Sequence, residues 1–197
     1  MVSQKIIDDI LAVTLKPFRL FDDILSNPDW KPNRKVIIFV LLMQVYLFFL
    51  PSYLFFFNIL SLVLIPINIG LIYNLSQDLE LLYFKKQDSE LFFYRILYCL
   101  ALSQIPSLIV NLLNNVLNIF FASDLLLGVF FSALLNIPAA IIAFIYGLKV
   151  VEAVTQEKDS MRIFMELLPK SLMSTFSEPL GFRSIRELMV DFKAFKK

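Results

Sequence analysis

Three uninterrupted apolar runs dominate the chain: residues 36–77, 96–123 and 125–148 contain no Asp, Glu, Lys or Arg. None shows the strict alternation that a membrane barrel strand requires. An α-helix rises about 1.5 Å per residue and the hydrocarbon layer is about 30 Å thick, so about 20 residues cross once. The first run is 42 residues long and therefore crosses twice. Its break is expected around Pro51, Ser52 and Asn58, where a missing donor and short polar side chains suit a turn. Backbone groups in lipid must be paired within their own segment, which makes each crossing a helix. The pattern predicts spans at 35–54, 57–76, 96–118 and 125–148. The fold class is thus an all-α membrane protein: a four-helix transmembrane bundle over 35–148, with amphipathic interfacial helices at the N- and C-termini.

The flanking segments carry helical periodicity of another kind. In residues 1–34, Ile6, Ile7, Ile10 and Leu11 fall opposite Gln4, Lys5, Asp8 and Asp9. After Pro17, Phe18, Phe21, Ile24 and Leu25 share a face while Arg19, Asp22 and Asp23 take the other, until Asn27, Pro28 and Pro32 end the pattern. These are read as one or two helices lying on the cytoplasmic leaflet, with Trp30 at the headgroup boundary. Packing as a cap on the spanning helices would use the same pattern. In the tail, 149–197, Ile185, Leu188, Met189, Phe192 and Phe195 accompany Arg183, Arg186, Lys193, Lys196 and Lys197, a face suited to anionic headgroups or to a partner protein. Residues 163–176 are partly apolar, but Glu166, Pro169 and Lys170 interrupt them, so no fifth span is assigned.

Charge orients the bundle. Of the 18 Lys and Arg, six lie in residues 1–35, three in 77–95 and nine in 149–197. The two remaining connections hold none. By the positive-inside rule an even number of spans puts both termini and the middle loop in the cytoplasm. A bacterial cytoplasmic (inner) membrane is the expected location. Five Asp in the first 35 residues and no long apolar stretch there speak against a cleaved signal peptide.

Polar residues inside the spans form a pattern of their own. Gln104, Ser107, Asn111, Asn114, Asn115 and Asn118 recur at three- and four-residue steps on the third span. An unsatisfied carboxamide in hydrocarbon is unfavourable, so this face should turn inward. Facing it on the fourth span, Gly128, Ser132, Asn136, Ala140, Ala143 and Gly147 offer a small and polar surface for close helix packing. Gln44 and Asn68 could complete an interior seam. Such a seam is helix glue or, alternatively, the lining of a small-solute path or channel, with Pro66, Pro106 and Pro138 freeing carbonyls along it.

Composition agrees with lipid as the solvent. Hydrophobic residues make up 58% of the chain and charged ones 18%, against about 45–50% and about 25% in average globular proteins. A net charge of +1 provides no field for phosphates, so nucleic acid is not an expected partner. The absence of His removes the commonest general base and transition-metal ligand. No paired-Cys, phosphate-loop or nucleophile-elbow motif occurs, and the single Cys99 is read as packing. The carboxylates Asp8, Asp9, Asp22 and Asp23 are explained by helical polar faces. No catalytic, cofactor or metal site is assigned. The expected partners are the lipid bilayer, other membrane proteins, or a second copy in a homo-oligomer.

Three stretches belong together: Lys16, Pro17, Phe18, Arg19, Leu20, Phe21, Asp22, Asp23 and Ile24, followed by Pro28, Asp29 and Trp30; residues 98–106, Tyr-Cys-Leu-Ala-Leu-Ser-Gln-Ile-Pro; and Tyr146, Gly147, Leu148 and Lys149. Together they resemble the Yip domain, a family of polytopic membrane proteins named for interaction with Ypt and Rab GTPases. The first looks like the family's lead into its first span, the second is similar to the start of its third, and the last is similar to the exit of its fourth. The resemblance implies an all-helical bundle with a cytoplasmic N-terminus, no known enzymatic reaction and, for eukaryotic members, roles in vesicle traffic and membrane shape. The chain is read as a non-enzymatic membrane scaffold or adaptor acting through its amphipathic cytoplasmic ends. The family usually has five spans, and the short N-terminal segment here is similar to prokaryotic members. No GTPase contact carries over to any residue.

Overall fold

A computed structural model describes residues 2–27, 30–49, 55–83, 89–120, 125–156, 159–177, 186–187 and 189–190. Every element among them is helical: α1 (Val2–Leu15), α2 (Pro17–Ser26), α3 (Arg34–Phe49), α4 (Phe55–Tyr83), α5 (Ser89–Leu102), α6 (Ile105–Phe120), α7 (Leu125–Thr155) and α8 (Ser160–Ser177). The all-α fold expected from the apolar runs is therefore present.

The boundaries follow local chemistry. Pro17 opens α2 at its first position, where its missing N–H would have had no partner. The predicted third span, 96–118, is not one helix. Pro106 cannot donate to the carbonyl of Leu102, and Ile105 precedes a proline, so the ladder breaks at Ser103 and Gln104. There the Gln104 N–H turns back to the Ala101 carbonyl at 3.1 Å, and the Ser103 hydroxyl donates to the Leu100 carbonyl at 2.7 Å. Pro66 and Pro138 are accommodated inside α4 and α7 without ending them. The second and fourth predicted spans continue as helix to Tyr83 and Thr155, beyond the expected 76 and 148. Charged residues end an apolar run without ending the helix that carries it. Gln156, at φ 55°, closes α7 in the left-handed conformation usually taken by glycine.

The core lies at one end of the molecule. It combines the whole of α5 from Phe93 to Leu102 with Val36, Ile37 and Val40 of α3, Ile72, Tyr73 and Leu79 of α4, and Val150 and Val151 of α7. Phe21 and Ile24 of α2 and Phe164 and Leu167 of α8 seal it. α2 packs on α5 and α7, and α8 on α4 and α7. The expectation that residues 3–26 lie on the leaflet needs correction for α2: its apolar face is spent on the bundle, as in the alternative cap. Residues 163–176, left out of the spans, form most of a helix that covers the α4–α7 side.

The other end is different. α6 packs mainly on α7, and both leave large apolar side chains outward, among them Ile109, Leu112, Leu113, Phe130, Leu134, Ile137 and Ile141. Among the described residues, two apolar stretches are long enough to cross a membrane: Phe92–Leu117, read through the turn at 103–104, and Leu126–Thr155. Within the most apolar 18-residue window of each, half of the first is buried inside the protein, but only 6% of the second.

Candidate functional site: buried polar clasps beside an amide stripe

The charged end is tied together by polar contacts between helices far apart in sequence. On α4, Asn74 and Asp78 stand one turn apart. On α8, Ser171 and Thr175 do the same and run antiparallel to them. The Asn74 amide donates to Thr175 Oγ1 at 2.9 Å. Asp78 accepts from the Ser171 hydroxyl at 2.9 Å and from Lys170 Nζ at 2.6 Å. The Thr175 hydroxyl in turn donates a hydrogen bond to the Ser171 carbonyl at 2.7 Å. Asn74, Ser171 and Thr175 are buried, so each bond formed avoids leaving a desolvated group unsatisfied. Matching i, i+4 pairs on the two segments were the available signal for this clasp, although nothing in a single sequence pairs one segment with the other.

A second clasp surrounds Tyr98. Its hydroxyl, fully buried, donates to Asp9 of α1, and its ring meets Trp30 edge-on with centroids 4.9 Å apart. Arg95, one turn before it, is 3% exposed and donates through Nε to the Trp30 carbonyl at 2.9 Å. An arginine counted as loop charge thus sits inside the folded end. Trp30, expected at the headgroup boundary, is a half-buried part of this cluster, its indole packed on an aromatic partner and its backbone anchored. Tyr146 of α7 receives Phe18 and Phe21 edge-on, at centroid distances of 6.1 and 6.0 Å, and Lys149 lies 5.7 Å from the Phe18 ring and 2.8 Å from Glu152.

The amide stripe on α6 is only partly turned inward. Asn114 is buried, and its carboxamide oxygen has no hydrogen-bond partner. Gln104, Ser107 and Asn115 are half-buried, with Gln104 Nε2 3.4 Å from Ser103 Oγ. Asn111 is exposed, contrary to the inward orientation expected of it. The helical offset explains this: the stripe is wider than the contact, so only its Asn114 edge is covered. The side chains of Asn118 and Gln44 lie outside the described residues, and Asn68 is half-buried in α4.

On α7, Asn136 donates to Ser132 Oγ of its own helix at 3.2 Å, so this pair is satisfied along α7. Gly128 and Ser132 are half-buried and Ala143 and Gly147 are buried, but Ala140 is exposed and the adjacent Ala139 takes the packing position. Gly147 faces α8 rather than α6: a Cβ built there would stand 3.9 Å from the Phe164 ring. Of the basic tail residues, Arg186 is exposed, whereas Arg183, Lys193, Lys196 and Lys197 lie outside the described residues. Cys99 is buried in the α5 core. Among the described residues no three of Cys, Asp and Glu converge on a possible metal position.

Among the described residues, fold and clasps define an all-helical protein with two apolar helical stretches of membrane-spanning length and a polar-tied end. Comparison with family models, curated proteins and solved structures finds no match.

Proposed function

We propose that this chain is a non-enzymatic, multi-pass membrane scaffold or adaptor of the bacterial inner membrane. Four spans carry it, both termini are cytoplasmic, and the charged end presents itself to protein partners. One observation carries the reading: large apolar side chains stand outward along α6 and the first two thirds of α7, while the ordered polar contacts gather at the opposite end. Water would make the first surface unfavourable by about 25 cal/mol for each Å² of apolar area, and lipid removes that cost. The likeness of residues 16–24 and 98–106 to the Yip domain supports the scaffold role over catalysis.

The test has two parts. Reporter fusions inserted at Asn58 and Ser123 should lie opposite to fusions at both termini, and a single shared side would refute the span count. Cross-linking in intact membranes followed by purification should yield a stoichiometric protein partner. A chain recovered without any partner would refute the adaptor role.

A second reading, a small-solute path along α6, is supported by the buried, unpartnered Asn114 oxygen. Asn114→Leu distinguishes the two. Altered solute uptake in a stably folded protein supports a path, whereas unchanged uptake supports packing.

A further inference from the structure

Helix α1 carries aliphatic residues on both of its sides. Its inward side carries Ile10 and Val13, packed on the core, together with Asp9, whose carboxylate accepts a hydrogen bond from the hydroxyl of the buried Tyr98. Its outward side carries Ile7, Leu11 and Leu15 at i, i+4 and i+8, exposed by 49, 51 and 74%. In water an outward aliphatic row is unfavourable, and it becomes favourable when the outer medium is apolar.

Position supports the same medium. Tyr98 lies six residues into the apolar stretch that begins at Phe92, about 9 Å along its axis. α1 also packs against α6, the helix whose Ile109, Leu112 and Leu113 stand outward, so its aliphatic row adjoins the surface assigned above to lipid. Asp8 is exposed beside the row, which limits the depth. An interfacial helix buries its apolar face only about 5–10 Å below the headgroups, shallow enough for a neighbouring carboxylate to reach them. A helix of 14 residues cannot cross the bilayer.

From this polarity and placement we infer that α1 is a leaflet-inserted wedge. Its Ile7, Leu11 and Leu15 row takes the acyl chains of the cytoplasmic leaflet as its binding partner, and the Asp9 to Tyr98 hydrogen bond fixes the roll that points the row outward. The inference rests on the membrane reading under Proposed function, and the following experiment separates the two.

Full-length Leu11→Cys, Leu15→Cys and Ser26→Cys proteins are labelled with an environment-sensitive fluorophore and reconstituted into phosphatidylcholine and phosphatidylglycerol vesicles. Wild-type protein, with only the buried Cys99, reports background labelling. Ser26 is exposed at the end of α2 and serves as the aqueous control. Probes at 11 and 15 should be quenched several-fold more strongly by lipids spin-labelled near the top of the acyl chain than the probe at 26, which iodide in the buffer should quench instead. If iodide quenches all three while alkaline carbonate leaves the protein in the pellet, the wedge is overturned and the membrane reading stands. Shielding of 11 and 15 from both quenchers would mean that protein covers the row, which also overturns it. Release by carbonate would overturn both.

Discussion

The second half of α5 and the whole of α6 come from one uninterrupted apolar run, yet they meet opposite surroundings. Between Phe93 and Leu102 every residue of α5 is buried, whereas α6 turns Ile109, Leu112, Leu113, Val116 and Phe120 outward. Composition does not separate them. What differs is company: α5 is packed by α2, α3, α4 and α7, while α6 has chiefly α7, with lesser contact from α3 and α1. A hydrophobic segment is specified to leave water. Whether it leaves into protein or into lipid depends on which other helices end beside it. Here polar anchors decide it, because Asp9, Trp30 and Arg95 gather α1, the segment before α3, and α5 at one level.

Substitutions on the two helices should therefore diverge. Ile96→Ala, at a site with no exposure, should destabilise the folded protein by about 2–5 kcal/mol through lost burial and a cavity. Ile109→Ala on α6 should change unfolding in detergent by less than about 1 kcal/mol, because its side chain exchanges protein contact for solvent contact only in part. Equal effects would mean that the two helices are equally packed. A charge reverses the sensitivity in another assay: Leu113→Arg should cost about 2.5–3.5 kcal/mol of apparent insertion free energy if α6 sits at mid-bilayer.

The clasps provide the next contrast. Asp78→Ala leaves the buried Ser171 hydroxyl without its acceptor and should cost about 1–3 kcal/mol, exposing residues 160–177 to protease before the rest of the fold. Tyr98→Phe removes one hydrogen bond while keeping the ring against Trp30, and should cost roughly 1 kcal/mol in a thermal melt. Gln156→Gly should have the smallest effect and the opposite sign. Releasing a non-glycine residue from φ 55° should stabilise the end of α7 by up to about 1 kcal/mol.

Much of the architecture was legible in the apolar runs because lipid-length hydrophobicity is a strong, local signal. The helical character of the chain and the start of α7 at Leu125 came from charge spacing and periodicity alone. The α5–α6 break was written in Pro106 but hidden by the continuous hydrophobicity around it. The site was less legible. Trp30 and Asp9 satisfy surface patterns, and only tertiary contact with Tyr98 makes them interior. Likewise the stripe from Gln104 to Asn118 has a clear period, but the period does not say that Asn114 is covered while Asn111 stays outside. Gly147 looked like a contact for the third span, and the approach of Phe164 from a helix not counted among the spans gave it to α8 instead.

The outward apolar surface of α7 is the most direct place to test the membrane assignment. Spin labels attached at Phe130→Cys, Leu134→Cys and Ile141→Cys, in protein reconstituted into bilayers, report collisions with oxygen, which concentrates in hydrocarbon, and with a water-soluble nickel complex. Oxygen should dominate at all three sites, most strongly at the one nearest the bilayer centre. Dominant nickel collisions at these positions would show that water bathes α7 and would contradict the proposal that this helix crosses a bilayer.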